Sequence, residues 1–114
     1  MSIKLERLGH IMAIEISKVI MEEVKDENIR FVTINAVKIS NDLSYAKVYF
    51  TTLYDDKKEE MLKTLNKASG FIRGKLFGKV EIRKMPELVF VYDESISYGK
   101  RIEEVIKNIK EEEE

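Results

Sequence analysis

Cysteine is absent from this 114-residue chain, which has a single proline and a single histidine. Without cysteine the protein has no disulfide, no thiolate nucleophile and no Cys-based zinc or iron–sulfur site. No apolar run approaches the roughly 20 residues that a membrane-spanning helix needs. The first residues carry an acid within an amphipathic pattern, unlike a signal peptide. The composition therefore predicts one cytoplasmic domain, monomeric, with no cofactor, no metal and no membrane partner.

Residue patterns that support catalysis are scarce. His10 lies between Leu8 and Ile11 with no cysteine or second histidine to complete a site, which favours a surface or boundary histidine. Neither a Walker loop nor a G-x-G-x-x-G motif is present. The acidic pairs at 55–56 and 93–94 stand at element junctions, where helix capping explains them. The sequence predicts a binding protein rather than an enzyme.

Positive charge is concentrated in one part of the chain, residues 63–84, which we call the basic window. It contains seven cations and one anion, a balance of +6, although the whole chain has a net charge of −1. A surface polarised in this way attracts polyanions, so nucleic acid is the favoured partner and a merely solvated face is the alternative. The seven cations are Lys63, Lys67, Arg73, Lys75, Lys79, Arg83 and Lys84.

The first half of the chain predicts a helix followed by a β-hairpin. Apolar residues recur every three or four positions over 5–24, the stripe of an amphipathic helix. Residues 31–40 are rich in β-branched side chains, and their apolar positions change parity midway, which indicates a bulge or burial on both faces. A turn at 41–44 then leads into a cleanly alternating strand at 45–53.

The second half predicts two helical segments and a strand. Asp55 and Asp56 are expected to cap a helix whose buried stripe contains Met61, Leu62 and Leu65, and Gly70 ends or bends that helix. A third strand is expected over 80–92. Because Pro86 cannot donate a ladder hydrogen bond, this strand should lie at an edge or be bulged there.

These elements define an α+β fold class, a two-layer sandwich with helices on one face of a three-stranded sheet. The order α-β-β-α-kink-α-β, followed by a C-terminal helix over 102–109, matches the type II KH architecture. Residues 1–110 are expected to form a single KH-like RNA-binding domain, and residues 111–114 a frayed acidic tail. Fold alone does not settle function.

Three glycines, Gly70, Gly74 and Gly78, recur every four residues. Each costs a helix about 1 kcal/mol relative to Ala, so the repeat implies a use for bare backbone. The spacing favours close packing against the sheet or another helix over close approach of a phosphate backbone. The amide groups at the start of the helix after the break can nevertheless bind phosphate, and Lys67 and Ser69 lie beside that break.

Four separated segments resemble the ribosome-binding factor A family. The resemblance extends from about Arg7 to Ile106 and is specific because the motifs occur in the same order. Glu27 stands where the family often has a proline, and many members carry a longer C-terminal tail. The segments are ASGFIR at 68–73, RKMPELVF at 83–90, YDES at 92–95 and DLSYAKVY at 42–49.

The resemblance implies a KH-type fold in which a kink, Ala68-Ser69-Gly70, replaces the usual Gly-x-x-Gly loop. It also implies a bacterial assembly factor, not an enzyme, that binds the free 30S subunit. Such factors assist late maturation of 16S ribosomal RNA and processing of its 5′ end, and they matter most in the cold. The implied partners are the 30S subunit and 16S rRNA, with small-subunit ribosomal proteins as further candidates.

The residues and the resemblance lead to the same expected site, the kink and the basic segments around it. Charge reversal at Arg73 and Lys75 is expected to abolish subunit binding without unfolding the domain. Two alternatives remain: a protein–protein adaptor that uses the strand edge near Pro86 or the acidic end of the last helix, and a generic KH-type binder of single-stranded RNA. The expected RNA-binding residues are Arg7, Lys67, Ala68, Ser69, Gly70, Arg73, Lys75, Lys79, Arg83 and Lys84.

Overall fold

The computed structural model describes residues 3–24, 29, 32–53 and 55–94. The predicted last helix, the acidic tail and Glu27 lie outside these residues. None of the helices in the described part of the chain is long and apolar enough to cross a bilayer. The elements are α1 (Ile3–Glu23), β1 (Val32–Ile39), β2 (Tyr45–Thr52), a 3-10 turn (Asp55–Lys57), α2 (Lys58–Lys67), α3 (Ser69–Leu76) and β3 (Glu87–Tyr92).

The strands form one sheet in the order β1-β2-β3, so β2 is central and β3 lies at an edge. β1 and β2 pair antiparallel as the predicted hairpin, and their register shifts between Ile34 and Ala36. This irregularity is the bulge that the parity change predicted. β2 and β3 pair in parallel, which requires the long crossover that contains α2 and α3.

A single core lies between the sheet and the helices, which pack on one of its faces. Alternate residues of β2 point into this core as predicted, and Phe50 meets Phe90 edge-on with ring centroids 6.5 Å apart. Each fully buried side chain of this size contributes about 1.5–3 kcal/mol. The two-layer α+β sandwich is confirmed and is consistent with a KH-like fold. The largest buried side chains include Phe50, Phe90, Met12, Ile16, Met61, Leu65, Ile72 and Leu76.

Gly9 sets the distance between α1 and the sheet. A Cβ at this position would collide with the carbonyl oxygen of Val37 on β1. Glycine is therefore required for this close approach of helix and strand. The sequence gives no sign of the constraint, because Gly9 stands within an otherwise regular helical pattern.

The third strand is shorter than the sequence predicts. It begins at Glu87, whereas Val80 forms only an isolated bridge with Phe77 and the residues between them and β3 are irregular. Val80 is nonetheless buried in the core, so its apolar character reflects burial rather than a strand. Pro86 lacks the amide that a ladder needs and stands just before the strand, at the edge of the sheet as predicted.

The predicted aspartate cap of the second helix is wrong. Asp55 and Asp56 belong to the 3-10 turn, and α2 begins at Lys58 with Lys57 as its N-cap and no side-chain capping bond. The extra turn moves the helix start beyond the aspartates. Glu59 and Glu60 instead occupy the first turn, where negative charge favours the helix dipole.

The turn between β1 and β2 is held by the Asp42 carboxylate. The hydroxyl of Ser40 donates a 2.8 Å hydrogen bond to Asp42 Oδ1, and the Ser44 amide donates one of 3.0 Å. These bonds, the one from Ser40 first, lower the pKa of Asp42 to about 2. The turn places Leu43 at a φ of 62°, in the left-handed region that the backbone of residues other than glycine rarely adopts.

This turn predicts a stability change at acid pH. Because the folded-state pKa of Asp42 lies below its ordinary value of 3.8, its contribution is fully present above about pH 4 and is lost as the pH falls toward about 2. We therefore expect the difference in free energy of unfolding between the wild type and Asp42→Asn to shrink across that window, as measured by urea unfolding. Ser40→Ala should reduce the pH dependence in part. A constant difference from neutral pH to pH 2 would contradict this assignment.

Candidate nucleic-acid interface

The kink consists of one residue shared by two helices. Ala68 is both the C-cap of α2 and the N-cap of α3, with φ −88° and ψ 0°. Its amide donates to Thr64 O at 3.0 Å, and its carbonyl accepts from the Ile72 amide at 2.9 Å. The helical hydrogen bonding thus continues through the break, although the ψ of Ala68 departs from the usual helical value. The partly buried Ala68 also packs against the core.

Two side chains hold this kink in place. The hydroxyl of Ser69 donates a 2.8 Å bond to Asn66 O, within the last turn of α2. The Asn66 amide then bonds to β3: Nδ2 donates to Phe90 O at 3.3 Å, and Oδ1 accepts from the Phe90 amide at 2.9 Å. Asn66 therefore pairs with β3 much as a neighbouring strand would. Nothing in the sequence pattern indicates this role, since Asn66 reads as a polar position of a helix.

Arg73, an expected RNA contact, is held within the fold. Its Nε donates to Pro86 O at 3.1 Å and its terminal nitrogen to Met85 O at 2.7 Å. These bonds fasten α3 to the segment that leads into β3. The structure therefore changes the expected result of charge reversal here: the variant should lose fold stability, because two carbonyls would lose a charged donor and face a carboxylate.

Lys75 also has partners within the chain, although it remains half exposed. Its Nζ lies 3.1 Å from Glu23 Oε2 at the end of α1, and the Lys75 side chain is 44% exposed. The same ammonium lies 5.4 Å from the centre of the Phe71 ring. An exposed ion pair of this kind contributes little to stability and leaves the cation accessible to a polyanion.

The other expected cations lie at the surface, in two places. Lys67 lies at the end of α2 beside the kink, whereas Lys79, Arg83 and Lys84 follow α3 and are all exposed. Arg83 lines a groove together with Lys4 and Leu8 of α1.

The cations after α3 therefore adjoin the first half of α1, which carries the exposed Arg7. Lys84 lies close enough to Asp42 to lower the pKa of that carboxyl slightly.

The glycines do not serve close packing, which the spacing had favoured. No described atom lies within 4 Å of a Cβ built on Gly70, Gly74 or Gly78, apart from their immediate surroundings in the chain. Gly78 has a φ of +86°, so it is required by backbone conformation as the chain leaves α3. Gly70 and Gly74 instead leave the outer surface of α3 bare.

Phe71 and Phe77 are surface aromatics that the expected site omits. They are 49% and 58% exposed, respectively. A signal for Phe71 exists in the sequence, because the buried stripe of α3 consists of Ile72 and Leu76 and Phe71 falls outside it. Arg73 Cζ lies 5.6 Å from the centre of the Phe77 ring, so each exposed ring has a cation beside it.

A cavity of about 640 Å³ lies along α1 and β1, away from the kink. Its lining includes His10, Leu5 and Lys38. Within the described residues no group of three or more His, Cys, Asp and Glu side chains is arranged to hold a metal ion. The exposed Phe71 and Phe77 are not part of the lining of this cavity.

Comparison with known proteins identifies the family. Residues 4–106 match the family described as ribosome-binding factor A. Ribosome-binding factor A of Staphylococcus epidermidis is 45% identical over 109 residues, which cover 95% of this chain and 94% of that protein.

Solved structures are similar as well. The crystal structure of ribosome-binding factor A from Thermus thermophilus has a TM-score of 0.71 and 24% identity, over 77% of this chain and 94% of that one. A homology model of the Thermus thermophilus protein, fitted into a cryo-EM map of a 30S complex, gives a TM-score of 0.56 and 27% identity, over 75% and 87% of the two chains. The sequence matches show that this chain belongs to the ribosome-binding factor A family.

Proposed function

We propose that this protein binds the free small ribosomal subunit in the cytoplasm and assists late maturation of 16S rRNA, including processing of its 5′ end. The observation that carries the proposal is the set of exposed cations at the two ends of α3, beside the kink and after the helix, in a chain of the ribosome-binding factor A family. The Thermus thermophilus relative is described in a complex with the 30S subunit. Contact with RNA is the chemistry that such a surface supports.

The contact that we propose is mainly electrostatic and is made by exposed side chains for which the described part of the chain shows no hydrogen bond or ion pair. Lys67, Lys79, Arg83 and Lys84 are exposed, and cations of this kind gain affinity by releasing counterions from phosphates. Arg73 and Lys75 add positive potential from fixed positions beside them. The protein acts by occupying rRNA and guiding its folding, without catalysis of its own.

One of the two surfaces expected for the adaptor alternative already has partners within the fold; the other, the acidic end of the last helix, lies outside the described residues. The edge of β3 near Pro86 was to bind another protein, yet Arg73 bonds to the carbonyls of Met85 and Pro86. Asn66 bonds to both backbone groups of Phe90 further along the strand. An added strand would have to displace these bonds.

Depletion and rescue in cells test the maturation role. A bacterial strain that lacks its own ribosome-binding factor A is expected to accumulate 16S rRNA with an unprocessed 5′ end, most strongly in the cold. Expression of this chain should restore the mature end, as read by primer extension. The matched control is the variant with Lys67, Lys79, Arg83 and Lys84 changed to glutamine, which should fail at equal protein level. Equal rescue by both proteins would contradict the proposed surface, and no rescue by the wild type would contradict the function.

A further inference from the structure

The outward side of α3 forms a shallow trough, defined by Gly70 and Gly74 as its floor and by Phe71 and Phe77 as its walls. With about 100° of rotation per residue, the two glycines lie between the two aromatic positions. No described atom covers a Cβ built on either glycine. Within the described part of the chain, nothing therefore obstructs close approach to the backbone of α3 along this trough.

Each wall combines an exposed ring with a cation. Phe71 is 49% exposed and Phe77 58% exposed. Lys75 Nζ lies 5.4 Å from the centre of the Phe71 ring, and Arg73 Cζ lies 5.6 Å from that of Phe77. Exposed rings beside fixed cations are the combination that binds single-stranded nucleic acid, through base stacking and phosphate neutralisation.

The charges around the trough favour one kind of ligand over others. The chain has no acidic residue between Leu62 and Val80, and the carboxylate of Glu23 that reaches this side is paired with Lys75. An apolar protein segment would use the rings but gain nothing from the cations. A duplex would bind the cations through its phosphates but leave the rings unused, because its bases are already stacked. Unpaired nucleotides use both.

We propose that unpaired bases of small-subunit ribosomal RNA stack on Phe71 and Phe77 in the α3 trough, with their phosphates against the neighbouring cations. The inference rests on the proposed function and specifies the part of the RNA that binds: single-stranded nucleotides rather than a duplex. The two rings are six positions apart, about 9 Å along a helix axis, so each contacts a different base.

A tryptophan at position 71 reports stacking directly. The chain contains five tyrosines but no tryptophan, so Phe71→Trp introduces a single indole at the trough, which can be excited selectively. We expect its emission to be quenched when small subunits or naked 16S rRNA are added, because a stacked base quenches indole fluorescence. Ile14→Trp, at a position 46% exposed on α1, is the matched control and should not be quenched. Binding of the Phe71→Trp protein without quenching, or a response to small subunits but not to naked 16S rRNA, would overturn the proposal.

Phe71→Leu separates stacking from charge. Leucine keeps apolar area but cannot stack, so subunit affinity should fall by about 5- to 150-fold, the usual range for one lost base stack. The slope of log affinity against log salt should not change, because no phosphate contact is removed. An unchanged affinity, or a loss confined to the slope, would contradict stacking at Phe71.

Gly74→Ala should move stability and binding in opposite directions. Alanine is the better helix former and meets no neighbour here, so the Tm should rise by about 2–6 °C. The same methyl group fills the floor of the trough and should weaken subunit binding by about tenfold, the effect of a modest steric clash. A purely structural glycine would not give this opposition.

The proposed small-subunit binding and the proposed base stacking can be disproved separately. If the wild type does not bind small subunits, the proposed function falls and the stacking proposal with it. If the wild type binds and both Phe71→Leu and Gly74→Ala bind equally well, the stacking proposal alone is wrong.

Discussion

Replacing Lys67, Lys79, Arg83 and Lys84 together by glutamine is expected to weaken binding to small subunits by about 10³-fold at about 0.1 M salt. Each neutralised phosphate contributes about 0.7–0.9 to the slope of log affinity against log salt. Four lost contacts should therefore lower that slope by about 3. Titration of labelled protein with small subunits at four salt concentrations measures both quantities.

A matched variant controls for net charge in this experiment. Four other exposed lysines lie outside the basic window, namely Lys18, Lys38, Lys47 and Lys57. Their replacement by glutamine makes the same change in net charge and should leave affinity within about threefold, since salt screens exposed charges that do not contact a phosphate directly. Equal losses in the two variants would show that overall charge, not this surface, governs binding.

Replacing Arg73 by alanine is expected to lower the free energy of unfolding by about 2–4 kcal/mol. The guanidinium makes two hydrogen bonds, to Met85 O and Pro86 O, and bonds from charged donors contribute about 1.5–3 kcal/mol each. Their loss should free the segment before β3 from α3. Urea unfolding followed by circular dichroism measures the change.

Arg73→Lys distinguishes the structural role from an RNA contact. Lysine keeps the charge but lacks the planar fork that reaches two carbonyls, so we expect it to recover only part of the lost stability. Arg83→Ala, an exposed loop position, should change stability by less than about 0.5 kcal/mol. If Arg73→Ala unfolds at the wild-type urea concentration, the bonds to Met85 and Pro86 do not hold this region together.

Local patterns allowed most of the fold to be predicted from the sequence. The parity change in β1 predicted the bulge because a one-residue insertion moves later side chains to the other face. Pro86 predicted an edge strand because it has no amide hydrogen to donate to a neighbouring strand. The predicted start of β3 was wrong because Val80 is buried in the core without belonging to the strand. Alternation of apolar residues does not show which contact buries each of them.

The sequence locates the cations of the proposed site along the chain but does not indicate what each side chain contacts. A cation in a helical pattern is expected to be exposed to solvent, so nothing distinguished Arg73, which bonds to the backbone before β3, from the exposed Lys67. That difference depends on which loop folds against α3, a tertiary fact. The glycines were assigned to packing because a helix without side chains can serve either close packing or close approach of a phosphate backbone. The sequence does not distinguish the two, whereas in the structure no described neighbour lies above Gly70 and Gly74.

Ala68 shows how the family kink can present that surface. As a cap shared by α2 and α3, it separates the two helices by one residue while hydrogen bonding continues on both sides. The bonds from Asn66 and Arg73 then anchor the two helices to β3. The exposed side of α3 is therefore held rigidly, so a partner would bind it with little loss of conformational entropy.

Co-sedimentation with purified small subunits, large subunits and whole ribosomes, at low and high salt, tests the central claim most directly. We predict that the wild type pellets with free small subunits alone, that high salt releases it, and that the variant lacking Lys67, Lys79, Arg83 and Lys84 stays in the supernatant. Equal binding to all three particles, or binding to small subunits that neither salt nor the variant weakens, would contradict the account.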